Sequence, residues 1–181
     1  MPSSEKSYEK PRRASWRRDQ RGSAAIEFAL VAPIFFGLLF AIFEIALTFY
    51  AGQVLENGLQ QTARLMYTNR AANMTKDQFV QALCDRVSML MDCSKLRVNV
   101  SVTDEGQPIT ILSPLSNGSF VDNFTYQVPA PNTKQTVVVS AYYLWPLVVT
   151  QLGYNLANVD ANTPNGKYLL SSAAAFRVEP L

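Results

Sequence analysis

Two acidic residues, Glu27 and Glu44, interrupt an otherwise apolar stretch that runs from Gly22 to Tyr50. No charged residue lies between Phe28 and Phe43. An ionised carboxylate inside lipid hydrocarbon costs about 2.5–3.5 kcal/mol on insertion scales, and such residues are usually kept for a function. Glu27 and Glu44 are therefore the first candidate site residues of this chain.

The rest of the chain is poor in side chains that do catalysis. It has no histidine and two cysteines, Cys84 and Cys93. Histidine is the usual general base and the commonest metal ligand, and two cysteines alone do not make a zinc site. The sequence also lacks a nucleophile elbow, a Walker loop and a dinucleotide fingerprint. We therefore predict a protein that is not an enzyme and that holds no metal and no cofactor.

Charge is distributed unevenly along the 181 residues. Residues 1–22 carry seven basic and three acidic side chains, a net charge of +4, and this leaves −2 for the rest of a chain whose total is +2. Positive charge beside an apolar segment is the signal that keeps that end cytoplasmic. The mildly acidic remainder lacks the clustered Lys and Arg that nucleic-acid binding needs, so we expect no nucleic acid as partner.

Residues beyond about Gln53 should then lie across the membrane, in an oxidising compartment where Cys84 and Cys93 can pair. Nine residues of unbroken helix would hold them about 13 Å apart, so the helix must end and turn back before Cys93. We expect a disulfide. The alternative is that Cys84 is a small buried apolar residue and Cys93 an incidental thiol.

Helical periodicity predicts two helices. The apolar run is long enough to span a bilayer, and apolar residues at 55, 59, 62/63 and 66 continue it as an amphipathic stripe. We expect one helix over residues 23–68, with its membrane part at about 28–50. Thr75 and Gln78 form a capping-box pattern that predicts a second, amphipathic helix.

Strand patterns follow the second helix. Residues 96–103 alternate strictly between apolar and polar, and residues 137–145 form a β-rich central strand. Residues 167–177 form the last strand. We interpret residues 104–135 as a long loop or hairpin with a short strand at 120–127. The predicted fold class is α+β, a long N-terminal helix followed by a small domain, residues 69–181, with a second helix and an antiparallel sheet.

Two runs of residues support a family resemblance. Arg21–Pro33, RGSAAIEFALVAP, is followed by the apolar run and Glu44, and then by Tyr50–Asn57, YAGQVLEN. Together they resemble the TadE-like family of the tight-adherence, or Flp, type IVb pilus system. Shorter runs farther along also resemble members of that family: Leu83–Val87, Tyr143–Pro146 and Phe176–Pro180.

The resemblance implies a minor pilin or pseudopilin with a type IV pilin-like fold. A membrane-embedded aspartyl prepilin peptidase would cut between Gly22 and Ser23, and Glu27 would become the fifth mature residue. Residues 1–22 would be a cytoplasmic leader and residues 69–181 a periplasmic domain, on a single-pass protein of the bacterial inner membrane. The implied partners are the peptidase, other pilins or pseudopilins, inner-membrane assembly proteins and membrane lipid.

Each acid then has a proposed role. Glu27 lies one helical turn from the amine that cleavage would create on Ser23, so it can neutralise an amine of its own chain or of a neighbouring subunit. Glu44 lies about 6 Å inside the far membrane boundary, if the apolar core ends near Thr48. It either snorkels outward or contacts another membrane helix.

Function therefore has one leading hypothesis and two rivals. The leading one is assembly of an Flp-type pilus, used in adhesion and surface attachment, by interaction and not by catalysis. The alternative is an uncleaved, single-pass anchored periplasmic scaffold of an envelope or secretion complex. A periplasmic enzyme is the third.

Overall fold

The computed structural model of the chain describes residues 22–67, 74–109, 111–130, 133–148, 155–163 and 166–178. Two compact units divide it, Met1–Leu38 and Leu39–Leu181. Apart from Gly22, the predicted leader lies outside the described residues. So does the boundary that we expected between residues 68 and 69.

The long helix α1, Ser23–Tyr67, begins at the residue that the sequence predicts and continues through Pro33. Up to Phe43 its large apolar side chains are mostly exposed, as for Phe28, Leu30 and Ile34. The helix is long and apolar enough, by length and composition, to cross a membrane. This suggests that the chain is anchored in a membrane through α1.

The second half of α1 buries one stripe in the second unit. The stripe recurs every three or four residues, as expected for one face of a helix. Its buried members are Glu44, Thr48, Ala51, Leu55, Leu59, Thr62, Ala63 and Met66. The predicted capping box is present at the start of α2, Lys76–Val87, where Thr75 and Gln78 exchange hydrogen bonds between side chain and backbone. α2 buries Phe79, Leu83 and Val87 against the same core.

Glycine lets the two helices approach closely. A Cβ atom on Gly58 would lie 2.9 Å from the Cγ1 atom of Val87 and 3.3 Å from the Cδ1 atom of Leu83. Such distances leave no room for a side chain. Gly58 is thus a position at which α1 and α2 approach closely.

The main sheet is antiparallel, in the order β1–β4–β5. Its strands are β1, Arg97–Thr103; β4, Thr136–Pro146; and β5, Lys167–Arg177. β4 is central, as predicted, and its residues 137–143 are all buried. Alternate residues of β4, Val137, Val139, Ala141 and Tyr143, face the helices. The predicted α+β class is confirmed.

Residues 104–135 differ in detail from the prediction. A hairpin is present, formed by β2, Leu115–Ser116, and β3, Ser119–Phe120, around an Asn117–Gly118 turn with positive φ at both residues. The short strand expected at 120–127 does not form there beyond Phe120. That segment meets β1 through a single bridge, Val100 to Tyr126.

The side chain of Asn99 binds the chain segment where that strand would have paired. The Asn99 carbonyl oxygen Oδ1 accepts a hydrogen bond from the Thr125 backbone N–H at 3.0 Å. Asn99 is consequently buried, although the alternation of β1 predicted it on the exposed face. The opposite face of the sheet forms a second, smaller core around Tyr142, Val159 and Leu169.

Cys84 and Cys93 form a disulfide, with their Cα atoms 5.5 Å apart. α2 ends at Val87 and the chain turns through residues 88–90. A short 3₁₀ turn, Cys93–Lys95, then brings the second cysteine back to the helix. The predicted disulfide and the predicted turn are both present.

Candidate processing and assembly site

The junction between Gly22 and Ser23 lies at the first residue of α1. Gly22 is exposed, and a Cβ atom built on it would meet no other atom within 4 Å. Ser23 is the first α-helical residue. The peptide bond between them is therefore open to approach, at the point where the chain enters a helix.

Ser23 and Glu27 contact each other across one helical turn. The Ser23 hydroxyl donates a hydrogen bond to the Glu27 carboxylate oxygen Oε1 at 3.0 Å. The spacing of four residues places both side chains on the same face of α1. Glu27 thus already faces the residue whose amine would become free on cleavage.

Glu44 belongs to the second unit, and its side chain is only 8% exposed. Its carboxylate oxygen Oε1 accepts a hydrogen bond from the backbone N–H of Val148, two residues after the end of β4. One turn along, the Thr48 hydroxyl donates to the Glu44 backbone carbonyl oxygen at 2.8 Å. Glu44 is therefore bound by the domain of its own chain, an interaction that the sequence did not indicate.

Basic residues collect at the end of the sheet near Val148. Lys167 pairs with Pro146 across β4 and β5. Lys95, Arg97 and Lys167 line one pocket of about 300 Å³ together with Asp122 and Pro146. This end of the sheet thus combines cations with an apolar strand end.

Two carboxylates belong to the same region. Arg97 pairs with Asp122, with 2.7 Å between Nε and Oδ2, and Lys95 pairs with Asp92, with 3.2 Å between Nζ and Oδ2. Hydrogen bonds from the Ser94 side chain and backbone, aided by Lys95, lower the pKa of Asp92. Lys167 has no carboxylate within 4 Å among the described residues.

A separate groove of about 340 Å³ runs between α1 and β5. Thr48, Gly52 and Glu56 line it from the helix, and Tyr168 and Leu170 line it from the strand. Within the described parts of the chain, no group of three or more His, Cys, Asp or Glu residues is placed to hold a metal ion.

The site residues predicted from sequence fall into separate contacts. Ser23 and Glu27 meet each other, and Cys84 and Cys93 are joined. The partner of Glu44 was missed because it lies 104 residues away in the sequence. No local signal could have found it, because no pattern near Glu44 or near Val148 relates the two residues.

Comparison with known proteins finds a match over most of α1. The family model described as TadE-like protein matches residues 22–64. The match begins at Gly22 and ends within α1. No curated protein and no solved structure matches the chain.

The resemblance predicted from the sequence is thereby confirmed over these residues. The match contains Gly22, Ser23, Glu27 and Glu44. The family is structural rather than catalytic. Residues 22–64 of this chain are therefore a TadE-like segment, and at a coarse level this family connects the protein with the Tad, or Flp, pilus system.

Proposed function

We propose that the chain is a minor pilin or pseudopilin that takes part in the assembly of a bacterial Flp pilus. A prepilin peptidase processes it between Gly22 and Ser23. One observation carries the proposal. The family match begins at Gly22, α1 begins at Ser23, and the peptide bond between these two residues is open to approach. The resulting protein acts by interaction, as its family does.

Cleavage adds water across the amide bond, so Gly22 gains a carboxylate and Ser23 gains an ammonium group. The Glu27 carboxylate, which accepts a hydrogen bond from the Ser23 hydroxyl, stands one turn away. In a low-dielectric surrounding, a paired ammonium and carboxylate cost far less than either charge alone. Glu27 neutralises the new amine on its own chain or on a neighbouring subunit, and in the second case the pair holds two subunits together.

The proposed topology follows from charge and redox chemistry. The basic leader stays in the cytoplasm, α1 crosses the inner membrane, and the domain after α1 lies in the periplasm. The Cys84–Cys93 disulfide fits that compartment, because disulfides persist in oxidising surroundings. The proposed partners are the peptidase, other pilins or pseudopilins, inner-membrane assembly proteins and the lipid around α1.

The mature N-terminus tests the proposal. The protein is isolated from cells that have the peptidase and from cells that lack it, and its intact mass and N-terminal sequence are determined. A start at Ser23 only in peptidase-positive cells supports the proposal. A start at Met1 in both cells would favour the uncleaved periplasmic scaffold instead.

Two glycine variants provide matched controls. Gly22→Leu places a bulky side chain at the scissile bond and should block cleavage. Gly37→Leu adds the same side chain to α1 at another position with no atom within 4 Å of its Cβ, and it should leave cleavage intact. Equal processing of both variants would mean that Gly22 does not define the site.

A further inference from the structure

We propose that the membrane-side end of the domain, formed by residues 145–148 with Lys167, rests on the surface of an anionic bilayer. The chain would then contact the membrane at two places, through α1 and through the end of the sheet. This inference depends on the part of the proposed function that places α1 in a bilayer.

The hydrogen bond between Val148 and Glu44 sets the depth of this contact. Glu44 precedes Thr48 by four residues, which is about 6 Å along a helix. If hydrocarbon ends near Thr48, the backbone N–H of Val148 that binds the Glu44 carboxylate is held at the same depth. The segment after β4 then lies at the outer edge of the hydrocarbon beside α1, just below the headgroups.

The side chains of this segment suit that position. Val148 is 74% exposed, so its apolar side chain is available to lipid. Trp145 is half-buried and packs against Tyr143, with ring centroids 6.3 Å apart. Tryptophan is enriched at membrane interfaces because its ring is apolar and its N–H polar.

The apolar surface is continuous with the membrane anchor. On α1, next to Glu44, the side chains of Phe43, Leu47 and Phe49 are all more than half exposed. They belong to the helix that is apolar enough to span a bilayer. A bilayer that covers them therefore reaches Val148, whose backbone N–H is tied to the same turn of α1.

Charge at the same end matches lipid headgroups. Lys167 lies opposite Pro146 in the sheet and has no carboxylate within 4 Å among the described residues. Lys95 and Arg97 are close by but are already paired with Asp92 and Asp122. Basic residues at a membrane surface attract anionic lipid. Lys167 is thus the residue that makes the contact sensitive to lipid charge.

Trp145 itself reports on this contact. The chain has two tryptophans, Trp16 in the leader and Trp145, so Trp16→Phe leaves Trp145 as the single emitter. The full-length variant is reconstituted into vesicles of phosphatidylcholine and phosphatidylglycerol that contain lipid brominated high on the acyl chain. Bromine quenches tryptophan on contact, and we expect Trp145 to lose most of its emission. Lipid brominated near the chain end should quench it far less.

A relocated tryptophan provides the first control. Val128 is 40% exposed and follows Gln127, whose side chain binds the backbone of β1 at Val102, away from Pro146. The variant Trp16→Phe/Trp145→Phe/Val128→Trp should keep its emission in the same vesicles. Equal quenching at both positions, or none at Trp145, would overturn the proposal.

Matched substitutions test the two parts of the surface. Val148→Asp should reduce the quenching of Trp145, whereas Val128→Asp should not. Lys167→Gln should remove the extra quenching that phosphatidylglycerol gives over pure phosphatidylcholine, whereas Lys134→Gln, an exposed lysine beside the opposite end of β4, should leave it. If the two variants of either pair behave alike, the proposal is contradicted.

Flotation separates failure of this inference from failure of the proposed membrane anchor. Protein that floats with vesicles while Trp145 stays unquenched would refute only the bilayer contact of the domain. Protein that does not float would refute the anchor as well. Trp145 emission could instead be unaffected by bromine and change with the protein density in the vesicles. That result would identify a second copy of the chain as the occupant, and it would also refute the proposal.

Discussion

The Glu44 carboxylate accepts a hydrogen bond from the Val148 backbone N–H. It ties the middle of α1 to the segment that follows the central strand of the sheet. The contact forms where the buried stripe of α1 begins. From this turn onward, one face of α1 is part of the domain core.

Removal of the Glu44 carboxylate should destabilise the domain. Glu44→Ala leaves the Val148 N–H without this acceptor, and loss of a hydrogen bond to a charged group at a buried site costs about 1–3 kcal/mol. Urea unfolding of the full chain in detergent, followed by Trp145 emission in the Trp16→Phe background, measures the change. Glu56 is exposed, and its carboxylate accepts a hydrogen bond from the Gln60 side chain. Glu56→Ala should therefore stay within about 0.5 kcal/mol of the parent. Equal stability of the two variants would contradict this role for Glu44.

Gly58 and Gly52 should respond in opposite directions to the same substitution. Gly58→Ala puts a methyl group 2.9 Å from Val87. Overpacking of this kind costs about 1–3 kcal/mol. Alanine gains roughly 1 kcal/mol in helix propensity, so the net effect should be destabilising. Gly52→Ala meets only Leu170, at an ordinary 3.8 Å, and should stabilise by up to about 1 kcal/mol. Denaturant midpoints of the two variants provide the test, and a stabilising Gly58→Ala would show that the α1–α2 crossing can relax.

Local patterns predicted the helices and the main strands because each is specified by nearby residues. The apolar spacing of Leu55 and Leu59 continued α1 past the membrane segment, and Thr75 with Gln78 fixed the start of α2. The run at residues 137–145 gave the central strand. In each case the periodicity or the cap lies inside the element itself.

Contacts between distant residues were not predictable in this way. Tyr126 meets β1 at Val100, and beside this bridge the Asn99 side chain accepts a hydrogen bond from Thr125 at a position that alternation assigns to the solvent. The Glu44–Val148 contact joins residues that no local pattern relates. The Ser23–Glu27 contact could be expected from sequence, because its two residues are one helical turn apart.

The Cys84–Cys93 disulfide should stabilise the domain by about 2–3 kcal/mol, the value for a closed loop of this short length in the chain-entropy model. Urea unfolding with and without reductant measures it. The Cys84→Ala/Cys93→Ala variant should resemble the reduced parent and should not respond to reductant. A parent whose midpoint ignores reductant, with its thiols shown to be reduced, would refute the contribution.

Tyr126 should make stability depend on alkaline pH. Its hydroxyl donates to the Met74 backbone carbonyl oxygen at 3.1 Å, and burial raises its pKa above the ordinary value. Because the folded state favours the neutral phenol, the contribution is complete below the unfolded pKa of about 10 and is lost as pH rises through the higher folded pKa. Other tyrosines and lysines titrate in the same range, so the comparison is with Tyr126→Phe, which lacks the ionisable group. Between about pH 9 and about pH 11, the denaturant midpoint should fall more for the parent than for this variant. Equal falls would mean that the Tyr126 phenol ionises as readily in the folded chain as in the unfolded one.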